Sequence, residues 1–139
     1  SLEKESWALK LFVAANILFS AAYSDDNLPL TLLQLGSSKG LHFITCDYVV
    51  EETRRNLQRK APAGLQRLPP LVKACTLIAT PTTGEVPASL AAKDHPIWRG
   101  ALVTDCNVLL TGDRKDFGGL THAKFRVLSA RILFEEVFG

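Results

Sequence analysis

Residues 106–120 read CNVLLTGDRKDFGGL, an apolar run that ends in a polar turn. The aliphatic run over 106–111 predicts a buried strand. Gly112 and Asp113 then mark a turn at its carboxyl end, because glycine and aspartate favour tight turns. The sequence therefore places an acidic residue directly after a buried strand, where the binding sites of open parallel sheets form.

Similar short apolar runs alternate with longer helix-like patterns along the rest of the chain. The predicted strands cover 9–13, 41–45, 75–80, 106–111 and 125–128. The predicted helices cover 16–19, 29–35, 48–60, 95–104 and 130–137, with a break over 61–70. This alternation predicts an α/β fold of one domain over 1–139, with a parallel sheet and helices on both faces.

The composition excludes several classes of protein. Hydrophobic residues make up 47% of the 139 residues, which is enough for a core. No segment approaches the roughly 18 consecutive apolar residues of a membrane span. The formal charge is only +2, so a nucleic acid would be held by local basic patches rather than by the overall charge.

The cysteines and the N-terminal segment indicate the cellular compartment. Cys46, Cys75 and Cys106 are odd in number and lie in or beside apolar segments, which is typical of buried, reduced thiols. The first ten residues lack the pattern of a signal peptide, so we expect a cytoplasmic protein. Because the chain contains no Met, even at position 1, we expect a trimmed, processed or engineered chain.

Acidic residues are predicted to gather at the carboxyl edge of the sheet. Asp94 leads into the helix before the fourth strand, and Asp113 and Asp116 follow that strand. Glu52 lies at the edge of the apolar face of the helix over 48–60. Carboxylates brought together repel one another, and a divalent cation with oxygen ligands relieves this repulsion. We expect Mg²⁺ or Mn²⁺, because His and Cys are not grouped at the spacing of zinc sites.

Each of these acids also has an ordinary structural interpretation. Asp94 would cap its helix, Asp113 would occupy a common turn, and Asp116 would be a solvated turn residue. Glu52 would pair with a neighbouring cation such as Arg54. Spacing alone leaves both interpretations open.

The same segments together resemble the PIN-domain family of metal-dependent nucleases. VLLTGDRKDFGGL over 108–120 resembles the family's fourth strand and its Thr-Gly-Asp turn. KDHPIWRGAL over 93–102 resembles its Asp-led helix, and YVVEETRRNL over 48–57 resembles the helix that carries its glutamate. LFVAANILFSAAY over 11–23 and VLSARILFEEV over 127–137 resemble its first and last strand–helix pairs. The resemblance covers nearly the whole chain in order and implies a three-layer α/β/α sandwich around a parallel sheet.

The resemblance also implies an acidic pocket that binds Mg²⁺ or Mn²⁺ and hydrolyses phosphodiester bonds. Glu52, Asp94 and Asp113 match the family's metal-site acids, and Asp116 matches a frequent additional acid. In the implied mechanism, Asp94 and Asp113 hold the ion. Glu52 and Asp116 position the ion or the water from which the attacking hydroxide forms.

Two further positions near the first and fourth strands match the family, and a third departs from it. Asn16 and Thr111 match polar residues that support the pocket; their ordinary interpretations are a helix cap and a satisfied strand hydroxyl. Ala14 stands where the family has its first-strand aspartate. Loss of that carboxylate removes a ligand and a negative charge, so we expect weakened metal binding and little cleavage. Ala14 is either natural to a degenerate member or an engineered replacement of Asp.

Basic residues near the predicted pocket are candidate contacts for a phosphate backbone. They are Arg54, Arg55, Arg59 and Lys60 on the helix over 48–60, and Arg114 and Lys115 beside Asp113. The ordinary interpretation of the helix group is a solvated face on which Glu51 pairs with Arg55 at the i,i+4 spacing.

Two functions from different classes follow. The first is a metal-dependent endonuclease similar to the endoribonuclease toxins of toxin–antitoxin pairs, with activity impaired by Ala14. For this function the resemblance implies an RNA substrate, a protein antitoxin and self-association as a homodimer. The second is a non-catalytic PIN-like module that binds nucleic acid or protein. A receiver-type phosphoacceptor is disfavoured, because its acid pair belongs after the first strand, where Ala14 stands.

Overall fold

The computed structural model describes residues 8–112, 117 and 119–139. Its strands are β1 (Leu9–Val13), β2 (Leu41–Cys46), β3 (Thr76–Ile78), β4 (Val108–Leu110) and β5 (Arg126–Leu128). Its α-helices are α1 (Ala15–Tyr23), α2 (Leu28–Leu35), α3 (Asp47–Lys60), α4 (Leu68–Lys73), α5 (His95–Val103) and α6 (Ala130–Phe138). Short 3₁₀ helices cover Gly36–Lys39, Pro62–Arg67 and Ala92–Asp94.

The strands β1 to β5 form one parallel sheet in the order β3-β2-β1-β4-β5. The strand β1 is central, since Phe12 pairs with Ile44 of β2 on one side and with Leu109 of β4 on the other. The chain builds β2 and β3 on one side of β1 before it returns to place β4 on the other side. The strand order therefore reverses beside β1, and a crevice is expected at the carboxyl ends of β1 and β4.

The central strand is covered on both faces. Leu11, Phe12 and Val13 are fully buried, although successive side chains of a strand point to opposite faces. On one face, Gly100 of α5 lies so close to the Phe12 ring that a Cβ at this position would collide with it. A sheet buried on both sides by helices confirms the predicted α/β/α sandwich.

Two helices begin at a side chain that caps them. The Asn27 side chain caps α2 by accepting a hydrogen bond from the Leu30 N–H at 2.9 Å. The Ser129 hydroxyl caps α6 by accepting one from the Ile132 N–H at 3.3 Å. The predicted inner face of α3 is also confirmed, because its buried residues are Val49, Val50, Thr53 and Leu57.

Several predicted boundaries are wrong. Helix α1 continues to Tyr23 instead of ending at 19, since Ala21 and Ala22 are also buried. The expected break over 61–70 contains the 3₁₀ helix Pro62–Arg67 and the start of α4, whose first turn tolerates proline because its N–H groups need no intrahelical acceptor. Strands β3 and β4 are three residues long, shorter than predicted.

Several polar contacts involve α3 or the residues just before it. The N-cap residue Cys46 makes no capping hydrogen bond, and the Tyr48 N–H in the first turn donates to the Thr80 hydroxyl at 2.9 Å. The Thr45 hydroxyl donates to the Val13 carbonyl at 3.1 Å. Glu51 pairs with Arg54 at the i,i+3 spacing rather than with Arg55. In the part of the chain that the structure covers, no helix is long and apolar enough to cross a membrane.

Candidate active site

A cavity of about 190 Å³ opens at the carboxyl edge of the sheet, beside the end of β1. Its lining includes Ala14 after β1, Asn16 of α1, Glu52 of α3 and Asp94 before α5. These are four of the positions singled out in the sequence, and they come from three separate parts of the chain. The fold therefore brings the two predicted acids Glu52 and Asp94 to one cavity, next to Ala14.

One wall of the cavity is formed by Ala14, Ala15 and Asn16, and the neutral Asn16 side chain is hydrogen-bonded to residues that follow β4. The Asn16 Nδ2 donates to the Thr111 Oγ1 at 3.1 Å, and the Asn16 Oδ1 accepts from the Gly112 N–H at 2.8 Å. We call these three residues the amide bridge. Asn16 is not the helix cap, because that position is held by Ala14, whose N–H donates to the Leu110 carbonyl at 3.0 Å. The amide bridge thus ties the start of α1 to the end of β4.

Asp94 is buried, with 6% of its surface exposed. It occupies the N-cap position of α5, but its side chain makes no capping hydrogen bond there. Helix capping, the ordinary interpretation from the sequence, therefore does not account for this acid. Burying a carboxylate is costly unless other groups compensate its charge. A buried acid beside a cavity is therefore a candidate for a functional role.

Tyr48 connects the two elements that carry the acids. Its hydroxyl, at the start of α3, donates to the Lys93 carbonyl at 2.8 Å, one residue before Asp94. Burial raises the pKa of the Tyr48 phenol, and the negative charges of Glu52 and Asp94 raise it further. Both acids are thus close enough to act on the same phenol. The sequence analysis missed this residue, although Tyr48 lies one helical turn before Glu52 on α3.

The cations near the cavity include the expected Lys60 and the unexpected Lys93. Lys60 and Lys93 line the cavity together with the acids. Arg55 lines a neighbouring cavity of about 400 Å³, which also includes Glu52. Arg54 lines neither of these two cavities. It forms an ion pair with Glu51, and both residues line a different cavity. The candidates Arg114 and Lys115 lie outside the described residues.

The donor set of the cavity fits a hard divalent cation in chemical type. Glu52 and Asp94 supply carboxylate oxygens, the ligands that Mg²⁺ and Mn²⁺ prefer. Among residues 8–112, 117 and 119–139, no three His, Cys, Asp or Glu side chains are placed to hold a metal ion. Asp113 and Asp116, which the sequence predicts as further ligands, lie outside those residues.

The cysteines are not part of this cavity. Cys46 and Cys106 are buried, Cys75 is half-buried, and all three are free thiols. Burial raises the pKa of each thiol, that of Cys75 to about 12. At neutral pH these groups are therefore protonated and poorly nucleophilic.

Comparison with known proteins identifies the fold. No protein-family model matches the sequence, and no curated protein matches it either. Among solved structures, VapBC2 from Rickettsia felis bound to a DNA fragment from its promoter matches with a TM-score of 0.63 and 13% identity, over 87% of this chain and 98% of that chain. VapC20 from Mycobacterium tuberculosis, a toxin that cleaves the sarcin–ricin loop, matches with a TM-score of 0.56 and 14% identity, over 81% of this chain and 96% of that chain. The fold resemblance predicted from the sequence is confirmed.

Proposed function

We propose that this chain, which has the fold of the PIN-domain toxins, is a divalent-metal-dependent endoribonuclease scaffold whose activity is impaired by Ala14. The observation that carries the proposal is the meeting of Glu52 and Asp94 in one cavity beside Ala14, at the crevice where parallel sheets form their sites. The RNA-cleaving activity named for VapC20 supports RNA as the substrate.

The biological setting is a further part of the proposal. The match to a VapBC2 complex supports a toxin that is held by a protein antitoxin. We extend the proposal to a cytoplasmic toxin that self-associates as a homodimer.

The proposed site would hold its cation through Glu52 and Asp94, together with Asp113 and Asp116. A bound Mg²⁺ or Mn²⁺ would lower the pKa of a water and neutralise negative charge on the reacting phosphate. Tyr48 fixes the relative positions of the two acids, because it ties the start of α3 to the turn that precedes Asp94. The amide bridge holds α1 against β4, so the edge of the cavity keeps its shape.

Ala14 determines how much activity this arrangement retains. The residue is 1% exposed and lines the same cavity as Glu52 and Asp94. Aspartate at position 14 would add a third carboxylate and hence one more oxygen ligand. Alanine offers neither charge nor donor there, so metal binding is weaker and hydrolysis is slower.

The second candidate function is a non-catalytic PIN-like module that binds nucleic acid or protein. Ala14 favours it, since this residue lines the cavity and supplies no metal ligand there. This module would keep the fold and the basic residues but would not need a third carboxylate.

Cleavage of single-stranded RNA distinguishes the two functions. We would compare this chain with Ala14→Asp in Mn²⁺, using a mixed-sequence RNA, with Ala14→Asp/Asp94→Asn as the matched control. We expect Ala14→Asp to cleave about 100-fold faster or more, the size typical of one charged or proton-transfer group in an active site, and the control to lose this gain. Equal rates of RNA cleavage in all three folded proteins, with no dependence on Mn²⁺, would contradict the nuclease and favour the binding module.

A further inference from the structure

One face of α3 forms a continuous polar surface next to the acids. Glu52, Asn56 and Lys60 follow one another at four-residue spacing and therefore share a face of the helix, with Arg55 and Arg59 beside them. Each of the five lines the cavity of about 190 Å³, the neighbouring cavity of about 400 Å³, or both. Glu52 and Asn56 belong to both cavities. We call these five residues the α3 stripe.

Beyond Glu52, the α3 stripe presents hydrogen-bond donors. The Arg59 Nη2 donates to the Asn56 Oδ1 at 3.0 Å. Because this bond engages the amide oxygen, the group that Asn56 offers to a ligand is its Nδ2 donor. A guanidinium has five N–H donors, so Arg59 retains others after this bond. Three cations and one amide donor in a row complement an anion, and phosphate is the anion that such groups bind best.

A further cation faces the stripe from a different element. Lys93, in the 3₁₀ turn before Asp94, lines the same cavity as Lys60. The cavity therefore has positive groups on both α3 and this turn, in addition to its two acids. An anionic chain that approaches Glu52 and Asp94 is repelled by them, and paired cations at the same opening offset this repulsion.

We propose that the α3 stripe and Lys93 form a track for consecutive backbone phosphates of a single nucleic-acid strand. Lys60 and Lys93 bind the phosphate at the acidic cavity, and Arg55 and Arg59 bind a neighbouring phosphate along α3. The track rests on the proposed function, since it guides the substrate of that site, but it requires neither a metal ion nor cleavage. Phosphate contacts carry no sequence information, so the track binds strands of any sequence.

Binding in EDTA tests the track, with a short fluorescent RNA of mixed sequence followed by anisotropy over a range of salt concentrations. Arg59→Gln and Lys60→Gln each remove one charge from the track. Arg54→Gln is the matched control, because it removes the same charge from the same helix at a side chain that Glu51 engages elsewhere. The slope of log Kobs against log salt is negative, and we expect each track variant to make it shallower by about 0.7 and the control to leave it unchanged.

Two outcomes would overturn the track. An equal slope change in Arg54→Gln would mean that binding depends on overall charge, and an unchanged slope in both track variants would mean that these residues do not contact phosphates. A DNA strand of the same sequence should show the same slope changes as RNA. Slope changes confined to RNA would contradict recognition through phosphates.

The proposed function and the track can fail separately. If Ala14→Asp does not cleave RNA but the track variants make the salt dependence of RNA binding shallower, only the nuclease proposal fails. If Ala14→Asp cleaves and adding Arg59→Gln or Lys60→Gln changes neither the salt slope nor the cleavage rate at low RNA concentration, only the track fails.

Discussion

The two walls of the cavity are built on different principles. On the wall formed by Ala14, Ala15 and Asn16, the Asn16 side chain is hydrogen-bonded to Thr111 and Gly112 at the end of β4. On the wall formed by α3 and the turn before α5, Glu52 and Asp94 lie beside lysines that line the same cavity. The first wall satisfies itself within the protein, whereas the second presents charges to the cavity. Stability should therefore depend mainly on the neutral wall, and ligand binding on the charged wall.

The largest effect on stability is expected from the neutral wall. Asn16→Leu removes the hydrogen bonds that the Asn16 side chain makes with Thr111 and Gly112, and it leaves the buried Thr111 hydroxyl with one partner fewer. We expect the free energy of unfolding to fall by about 1–3 kcal/mol, measured by urea denaturation. Asn56→Leu is the matched control, because the Asn56 side chain accepts its hydrogen bond from the exposed Arg59. This replacement should lower the free energy of unfolding by less than about 0.5 kcal/mol. Equal losses in the two variants would remove the distinction between the walls.

A smaller loss is expected where the charged wall is tied to the fold. Tyr48→Phe deletes the hydrogen bond from the phenol to the Lys93 carbonyl. The free energy of unfolding should fall by about 0.5–1.5 kcal/mol, again measured in urea. Tyr23→Phe makes the same change at a residue that is 60% exposed at the end of α1, and it should leave stability nearly unchanged. A loss in Tyr23→Phe as large as in Tyr48→Phe would show that the tether is unimportant.

The same tyrosine predicts a dependence on alkaline pH. Its pKa is raised in the folded protein, so the unfolded chain loses this proton first as the pH rises. The stability associated with the protonated phenol is present below the unfolded pKa of about 10 and is lost as the pH rises through the folded pKa. Tyr48→Phe should therefore lose less stability than the parent chain in urea unfolding at increasing alkaline pH. A parallel decline of both proteins would contradict a raised pKa of Tyr48 in the folded protein.

The smallest effect on stability is expected from the cations. Lys60 is exposed, and its replacement by Gln should change the free energy of unfolding by less than about 0.5 kcal/mol. Its effect should appear instead in the salt dependence of RNA binding. A large loss of stability in Lys60→Gln would mean that this lysine supports the fold, and the functional contrast between the walls would weaken.

The fold was predictable because its signals are local. Apolar runs separated by turns mark the strands, and Asn27 and Ser129 cap helices through groups only three residues away. The boundaries were less predictable where tertiary packing decides them. Helix α1 extends to Tyr23 because its last turns bury alanines, which carry no strong sequence signal of a helix end.

The candidate site was predictable in part. The position of Glu52 at the edge of an apolar helix face made it a candidate, and the resemblance to the PIN-domain family assigned it to the site. The contacts between elements were not predictable. The tether from Tyr48 to Lys93 and the amide bridge join residues that are close only after the sheet has formed. The spacing rule also failed for Glu51, which selects Arg54 over Arg55, since both neighbours are within reach on a helix.

A divalent-metal site beside position 14 is tested most directly by the thermal stability of Ala14→Asp with and without Mn²⁺. In EDTA, Ala14→Asp should have a lower Tm than the parent chain, because it places a carboxylate at a buried position near Glu52 and Asp94. Mn²⁺ at about 100 times its Kd should then restore about 2.7 kcal/mol to this variant, and much less to the parent chain. A folded Ala14→Asp protein whose Tm does not respond to Mn²⁺ would contradict a metal site beside position 14.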